Sequence, residues 1–190
     1  MHILLKDILK EQANAEGDDN PLKVQVYCDM DGVLADMDKG FKELSGGLMP
    51  NEYEAKNGKN SFWKLVNTKP NFWLELEPMP DAKVLWKFIH DNFKNPPPVI
   101  LSAGQGTTIT QQKTQWIRNH IDPNVKVIIA ASGVKKPNYI LNLPGRVTHV
   151  LVDDTAKNIE AWNNEEKHRI AIHHKDAANS IEQLKAFLPE

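Results

Sequence analysis

Short apolar runs rich in β-branched residues recur along the chain: VQVYC at 24–28, PVILS at 98–102, VKVIIA at 125–130, VTHVLV at 147–152 and RIAIH at 169–173. Runs of this length between polar and turn-forming residues predict strands. Segments of helical periodicity, such as TTITQQKTQWIRNH and TAKNIEAWNNEEKH, lie between the last four runs, and DAANSIEQLKAFL follows the fifth. Strand alternating with helix predicts the α/β class, a parallel sheet with helices on both faces. The first interval breaks this rhythm. Residues 29–97 separate the first run from the second, far more than a crossover needs. An insertion is expected over 37–79, rich in the large rings Phe41, Tyr53, Phe62, Trp63, Phe72 and Trp73. DAKVLWKFIHDNF at 81–93 then reads as a helix with Asp81 near its start, closed off by NPPP at 95–98.

Upstream of the first strand, Ile3, Leu4, Leu5, Ile8 and Leu9 fall at helical spacing. They predict a short amphipathic helix and a polar linker within residues 1–22. Lys6, Asp7 and Lys10 interrupt the apolar stretch, so it does not read as a signal segment. No run approaches the roughly 18 apolar residues of a spanning helix, and no membrane partner is expected.

A chain of 190 residues with 41% hydrophobic and 25% charged content suffices for one core and a small inserted domain. The expected division is an N-terminal extension (1–22), a core (23–36 and 80–190) and a small helical cap (37–79). A formal net charge of −2 provides no field to attract nucleic acid or a membrane surface. The lone cysteine, Cys28, lies within an apolar run and reads as a small hydrophobe. A reducing, cytoplasmic setting is the expectation.

The chemistry gathers where the strands end. In a parallel α/β sheet ligands bind beyond the carboxyl ends of the strands. Asp29 and Asp31 follow the first run, Ser102 and AGQG the second, Lys135 and Lys136 the third, and Asp153 and Asp154 the fourth. Carboxylates crowd together at low cost only when protonated or around a cation, and hard oxygen ligands suit Mg²⁺. A carboxylate nucleophile can accept a phosphoryl group, with a metal, a serine and a lysine balancing the charge of the transferring oxygens. Gly32, Gly104 and Gly106 would let backbone N–H groups approach the same anion. Asp36 suits the start of the next helix and Asp38 the surface. His173 and His174 look like a metal pair only superficially, since imidazole suits Mg²⁺ less well than oxygen does.

These residues resemble the haloacid dehalogenase-like phosphohydrolases. DMDGVLAD is similar to that superfamily's first motif, Ser102 to its second, Lys136 (or Lys135) to its third and LVDD to its fourth, in that order. FWKLV, NFWLELEPMPDA and DDTAKNIEAW further resemble the 5'(3')-deoxyribonucleotidase branch and its phage and bacterial relatives. The resemblance runs from about Val24 to the end. It implies a Rossmann-like three-layer core with a helical cap inserted after the first strand, acting on a small phosphate ester, foremost a (deoxy)nucleoside 5'-monophosphate. It also implies Asp29 as nucleophile, Asp31 as general acid and then base, and Ser102, Ala103 and Lys136 at the phosphate. Mg²⁺ would be held by Asp29, the Asp31 carbonyl and Asp154, with Asp153 beside it, and the roles within this last pair stay open. Met37, Phe62, Trp63 and Trp73 are the candidate substrate-facing residues of the cap, although large rings also serve simply as its core.

The sequence departs from that branch in places. LSAGQG stands where a threonine, serine and proline are usual, and Met37 where an aromatic often lines the base pocket, so the substrate is less determined than the chemistry. A signalling receiver module also gathers aspartates, a hydroxyl, a lysine and Mg²⁺ at strand ends. It places its acidic pair at the first strand, however, and lacks a cap. A phosphatase of nucleic-acid 3' ends would want a basic face that this composition does not offer.

Overall fold

The computed structural model describes residues 23–164 and 167–188. The expected N-terminal helix at 1–22 lies outside the described residues. Five strands, β1 (Lys23–Cys28), β2 (Val99–Gly104), β3 (Lys126–Ala131), β4 (Val147–Asp153) and β5 (Arg169–His173), form one parallel sheet. Their order is β3-β2-β1-β4-β5, which puts the first strand at the centre. β1 pairs with β4 along its whole length, from Lys23↔Val147 to Cys28↔Val152. Its pairing with β2 is confined to Tyr27↔Val99 and Cys28↔Ile100.

Strands this apolar must be covered on both sides, and their side chains alternate between the two faces. Val26, Cys28, Ile100, Val150 and Val152 join one core, and Tyr27, Val99, Leu101 and Leu151 the other. The first core is completed by α4 (Ala82–Asn92) through Leu85, Trp86 and Ile89, by α5 (Gly106–His120) through Trp116 and Ile117, and by α7 (Ala177–Leu184) through Leu184. The second face is closed by Trp162 of α6 (Ala156–Trp162), which meets Tyr27 edge-on with ring centroids 5.1 Å apart. The result is the three-layer, Rossmann-like α/β fold.

One local expectation changes. The crossover from β3 to β4 carries only a 3₁₀ turn, Lys136–Tyr139, where the strand–helix rhythm predicts a helix. Pro137 stands at its first turn and Pro144 precedes the next strand, and residues without an N–H cannot extend a helix. Asp81 does precede α4, but its side chain does not cap that helix. Its Oδ2 accepts from the backbone N–H of Ala177 at 2.6 Å and so holds the start of α7.

Beyond β1 the backbone coils tightly. Leu34 and Ala35 both donate to the Met30 carbonyl at 2.8 Å, and Gly32 turns through a φ of 74°. There follow α1 (Met37–Ser45), α2 (Pro50–Asn57), α3 (Ser61–Val66) and a 3₁₀ turn, Phe72–Leu74. Asp36 caps α1 by accepting from Lys39 N at 3.0 Å. These helices are too short to stand alone. They close instead on rings, with Phe41 stacked on Phe62 at 5.0 Å and met by Tyr53 at 5.6 Å. The two ends of this segment are tied together by Asp36 N donating to Glu77 O and Met79 N to Leu34 O, each at 2.8 Å. It rests on α5, whose Trp116 indole donates to Leu76 O at 2.8 Å.

Candidate active site

The chain runs outward from β1 to β2 and β3, then crosses back to β4 on the other side of β1. Connections therefore diverge between β1 and β4, the point where α/β sheets open a crevice for ligands. Asp29 directly follows β1, and its N–H still donates to Val152 O of β4 at 2.9 Å. Asp153 ends β4 and Asp154 follows it. One carboxylate oxygen from each of Asp29, Asp153 and Asp154 lies within 4.8 Å of the others.

The hydrogen bonds distinguish these carboxylates. Lys136, 4% exposed, bridges Asp29 Oδ1 at 2.9 Å and Asp153 Oδ2 at 2.6 Å. Asp153 also accepts from Thr155 N at 2.9 Å and from Asn158 Nδ2 at 3.1 and 3.0 Å, so both of its oxygens are engaged by protein donors. Its part is to hold Lys136 and Asp29 in place. Both contacts of Asp29, with Met30 N at 2.7 Å and with Lys136, fall on Oδ1. Asp154 accepts a long bond from Thr155 Oγ1 at 3.3 Å, with its own backbone N–H also drawing on the carboxylate. Its carboxylate lies against Gly32, where an added Cβ would come within 2.2 Å of Asp154 Oδ2. Asp29 and Asp154 are thus the oxygen donors left to a cation. Lys135 is exposed.

Crowding has an electrostatic signature. Although Asp154 is exposed as a residue, partial burial of its carboxyl, with the charges of Asp29 and Asp153 adding to it, pushes it up to about 7. Burial and the Asp29 charge raise Asp153, against the pull of Lys136. For Lys136 burial works to lower the pKa, but Asp29 and Asp153 outweigh it and the ammonium is held above its usual value. Three carboxylates facing one ammonium leave negative charge over, and the oxygen-only donor set fits Mg²⁺.

Asp31 lies beside this cluster, its side chain 20% exposed, and burial raises its carboxyl despite a lysine partner. Ser102, fully buried on β2, donates to Asp31 Oδ2 at 3.3 Å. The lysine is Lys113 of α5, which the strand-end reading does not find. It is fully buried, pairs with Asp31 Oδ2, and donates to Ser102 Oγ at 3.2 Å and to Ala103 O at 2.7 Å. Its sequence signal is a charge on an apolar stripe, since Ile109, Lys113, Trp116 and Ile117 follow helical spacing.

The cap residues divide. Phe62 is buried against Phe41, and Trp73, 3% exposed, lies over Lys113 with the ammonium 4.0 Å from its ring centroid. Both are taken up by packing. Met37 and Trp63 are half-buried and keep some surface. Asp38 is exposed. His173 is exposed, with Nε2 2.8 Å from Asp154 O, while His174 is buried against Ser180 Oγ at 2.8 Å. Neither ring joins the carboxylate cluster. Among the described residues no helix is long and apolar enough to cross a membrane.

Comparison with protein-family models returns no match, and comparison with curated proteins returns none either. Solved structures do match. A haloacid dehalogenase-like hydrolase from Burkholderia xenovorans LB400 superposes with a TM-score of 0.56 at 15% identity, over 89% of this chain and 100% of that one. The Legionella pneumophila effector Ceg4, carrying an N-terminal yeast Hog1p sequence, gives 0.46 at 14% identity over 91% of this chain and 99% of that one. The HAD domain of the Legionella pneumophila effector Lem4 gives 0.42 at 15% identity over 86% and 94%. The likeness to the Burkholderia protein is one of fold: this chain has the architecture of a haloacid dehalogenase-like hydrolase.

Proposed function

We propose that the protein is a Mg²⁺-dependent phosphomonoesterase acting on a small phosphate ester, foremost a (deoxy)nucleoside 5'-monophosphate. The observation that carries this reading is the convergence of Asp29, Asp153 and Asp154 at the crevice between β1 and β4, with Asp31 and Ser102 hydrogen-bonded beside them. The hydrolase name of the fold relative supports the same class. Asp29, Asp154 and the Asp31 carbonyl would hold Mg²⁺. When bound, the ion would offset the charge of the phosphate and of the carboxylates around it.

The residues then divide the reaction in two. A carboxylate oxygen of Asp29 attacks phosphorus, the bond from phosphorus to the ester oxygen breaks, and Asp31 gives its proton to the departing oxygen. Water next attacks the aspartyl-phosphate, Asp31 takes up the water proton, and the bond from phosphorus to Asp29 breaks to release phosphate. Lys136 and the backbone at Ala103 would supply donors for the phosphoryl oxygens, whose charge is spread in the transition state, while the expected Ser102 donor is already engaged, its one hydroxyl proton going to Asp31 Oδ2. The cap, packed on α5 through Trp73 and Leu76, would select the rest of the ester while excluding water. Its half-buried Trp63, packed against Phe62 and Trp73 on one side, is the candidate ring to meet a base, which would favour nucleotides.

The test is phosphate release from a panel of nucleoside monophosphates, sugar phosphates and 3'-phosphorylated oligonucleotides, with chelator and with added Mg²⁺. Release from mononucleotides that chelation stops and Mg²⁺ restores is expected, and Asp29→Asn should lower it by about a thousandfold or more. Release only from oligonucleotide ends would overturn the substrate class. Undiminished release by Asp29→Asn would overturn the mechanism.

A further inference from the structure

A lysine with no exposed surface is rare unless its charge is matched, and Lys113 is matched in an unusual way. It arrives from α5, away from the strand ends that supply Asp29, Asp31, Ser102, Asp153 and Asp154. Its ammonium meets three oxygens, Asp31 Oδ2, Ser102 Oγ and the Ala103 carbonyl, and the fourth side is closed by the Trp73 ring at 4.0 Å. An ammonium has three protons to donate, and three acceptors use them all, so it is poorly placed to turn toward a substrate. The phosphate side of the cluster already has Lys136. Lys113 and Ser102 both engage the same oxygen of Asp31, while among the described residues the buried Asp31 Oδ1 meets no hydrogen-bond donor. Two donors on one oxygen fix the rotation of the carboxyl group and leave the other oxygen to the proton transfers.

We infer that Lys113 is a positioning residue for Asp31, aiming the carboxyl for proton transfer to and from the ester oxygen, and that the cap residue Trp73 holds Lys113 in this role. The link to the cap is physical. The Trp73 backbone N–H donates to Gln112 Oε1 on the same helix as Lys113 at 3.3 Å, and the Trp73 ring covers the ammonium of the next residue, Lys113. The cap and the proton-transferring carboxyl therefore share one buried contact. This inference rests on the phosphomonoesterase reading.

The test uses the leaving group. An ester oxygen of high pKa needs a proton to depart, whereas the oxygen of p-nitrophenol does not, so only the first is sensitive to a misaimed acid. Rapid-mixing bursts are measured with an alkyl phosphate and with p-nitrophenyl phosphate. For Lys113→Met the alkyl burst is expected to slow by about a hundredfold, the low end of general acid–base contributions, and the aryl burst by at least tenfold less. KM should stay within about threefold, since uniform binding is not what is removed. Trp73→Leu, which leaves the three polar contacts of Lys113 in place, is expected to slow the alkyl burst selectively by about fivefold, as a cation–π contact of about 1 kcal/mol implies.

Equal slowing of both esters, or none, in Lys113→Met would overturn the inference, because a purely structural lysine does not discriminate between leaving groups. Should Lys113→Met not fold, Trp73→Leu decides, and an unchanged alkyl-to-aryl ratio overturns it. Asp29→Asn separates the two ideas. If that variant keeps the wild-type burst, the phosphatase reading itself fails and takes this inference with it; if it abolishes the burst, the Lys113 and Trp73 results bear on the positioning role alone.

Discussion

Asp154 and Gly32 show how closely single atoms are set in the carboxylate cluster. Gly32 combines a φ of 74° with a position where a Cβ would overlap the Asp154 carboxylate at 2.2 Å. Gly32→Ala should therefore destabilise the fold by about 1–3 kcal/mol, as denaturant unfolding would measure, and, if the cluster holds Mg²⁺ as proposed, weaken that binding in a calorimetric titration. Asp154 supplies a prediction in pH. An aspartate titrates near 3.9 in an unfolded chain, while burial and the neighbouring charges raise it here to about 7. Between about pH 4 and 7 the metal-free folded state keeps a proton that the unfolded state releases, so this group's contribution to stability falls as pH rises through that window. The histidines His149 and His174, lowered mainly by burial, act in the opposite sense, so the informative quantity is a difference. Metal-free Asp154→Asn should gain stability relative to wild type from pH 4 to 7, and a difference that stays constant across the window would contradict the assignment.

At the scale of elements, side chains from one segment secure the next. Asp176 caps its own helix by accepting from Asn179 N at 2.7 Å, while Asp81, at the head of α4, accepts from the first N–H of α7. The N-terminal end of that helix is thus satisfied from two directions, one of them 96 residues away in the chain. Asp81→Ala should lower unfolding free energy by about 1 kcal/mol and loosen α7, which hydrogen exchange at Ala177 would report. The cap is a set of elements of the same dependent kind. Its short helices are joined by rings, and Trp116 of α5 anchors its far end at Leu76.

At the scale of the molecule, the sheet brings Asp29, Asp153 and Asp154 together at adjacent strand ends, and the inserted segment packs on α5 beside them through Trp73 and Leu76. If the cap selects the nucleoside, Trp63→Ala should raise KM for nucleoside monophosphates by about tenfold, the loss of one stacked ring, and leave hydrolysis of a small aryl phosphate nearly unchanged. An equal loss for both substrates would show that Trp63 supports the fold and not the choice of ester.

The strands, their order along the chain and the inserted helical segment follow from sequence alone, because burial on both faces demands continuous apolar runs and an insertion interrupts their rhythm. Asp29, Asp31, Ser102, Asp153 and Asp154 are legible as neighbours for the same reason, since a strand's end is a fixed address in such a sheet; between Lys135 and Lys136, a few residues past β3, only packing chooses, burying Lys136 and leaving Lys135 exposed. The helix missing between β3 and β4 was harder to see, as prolines act locally where periodicity is read over a longer window. What only tertiary structure decided is pairing. Which of Asp153 and Asp154 is engaged by protein donors depends on where Asn158 and Lys136 arrive, and Asp81 serves a helix far along the chain. Lys113, a charge on an apolar stripe of α5, becomes part of the site only because packing carries that helix over Ser102 and beneath Trp73. Local pattern reports what a residue requires of its surroundings; the three-dimensional arrangement alone determines which partner meets that requirement.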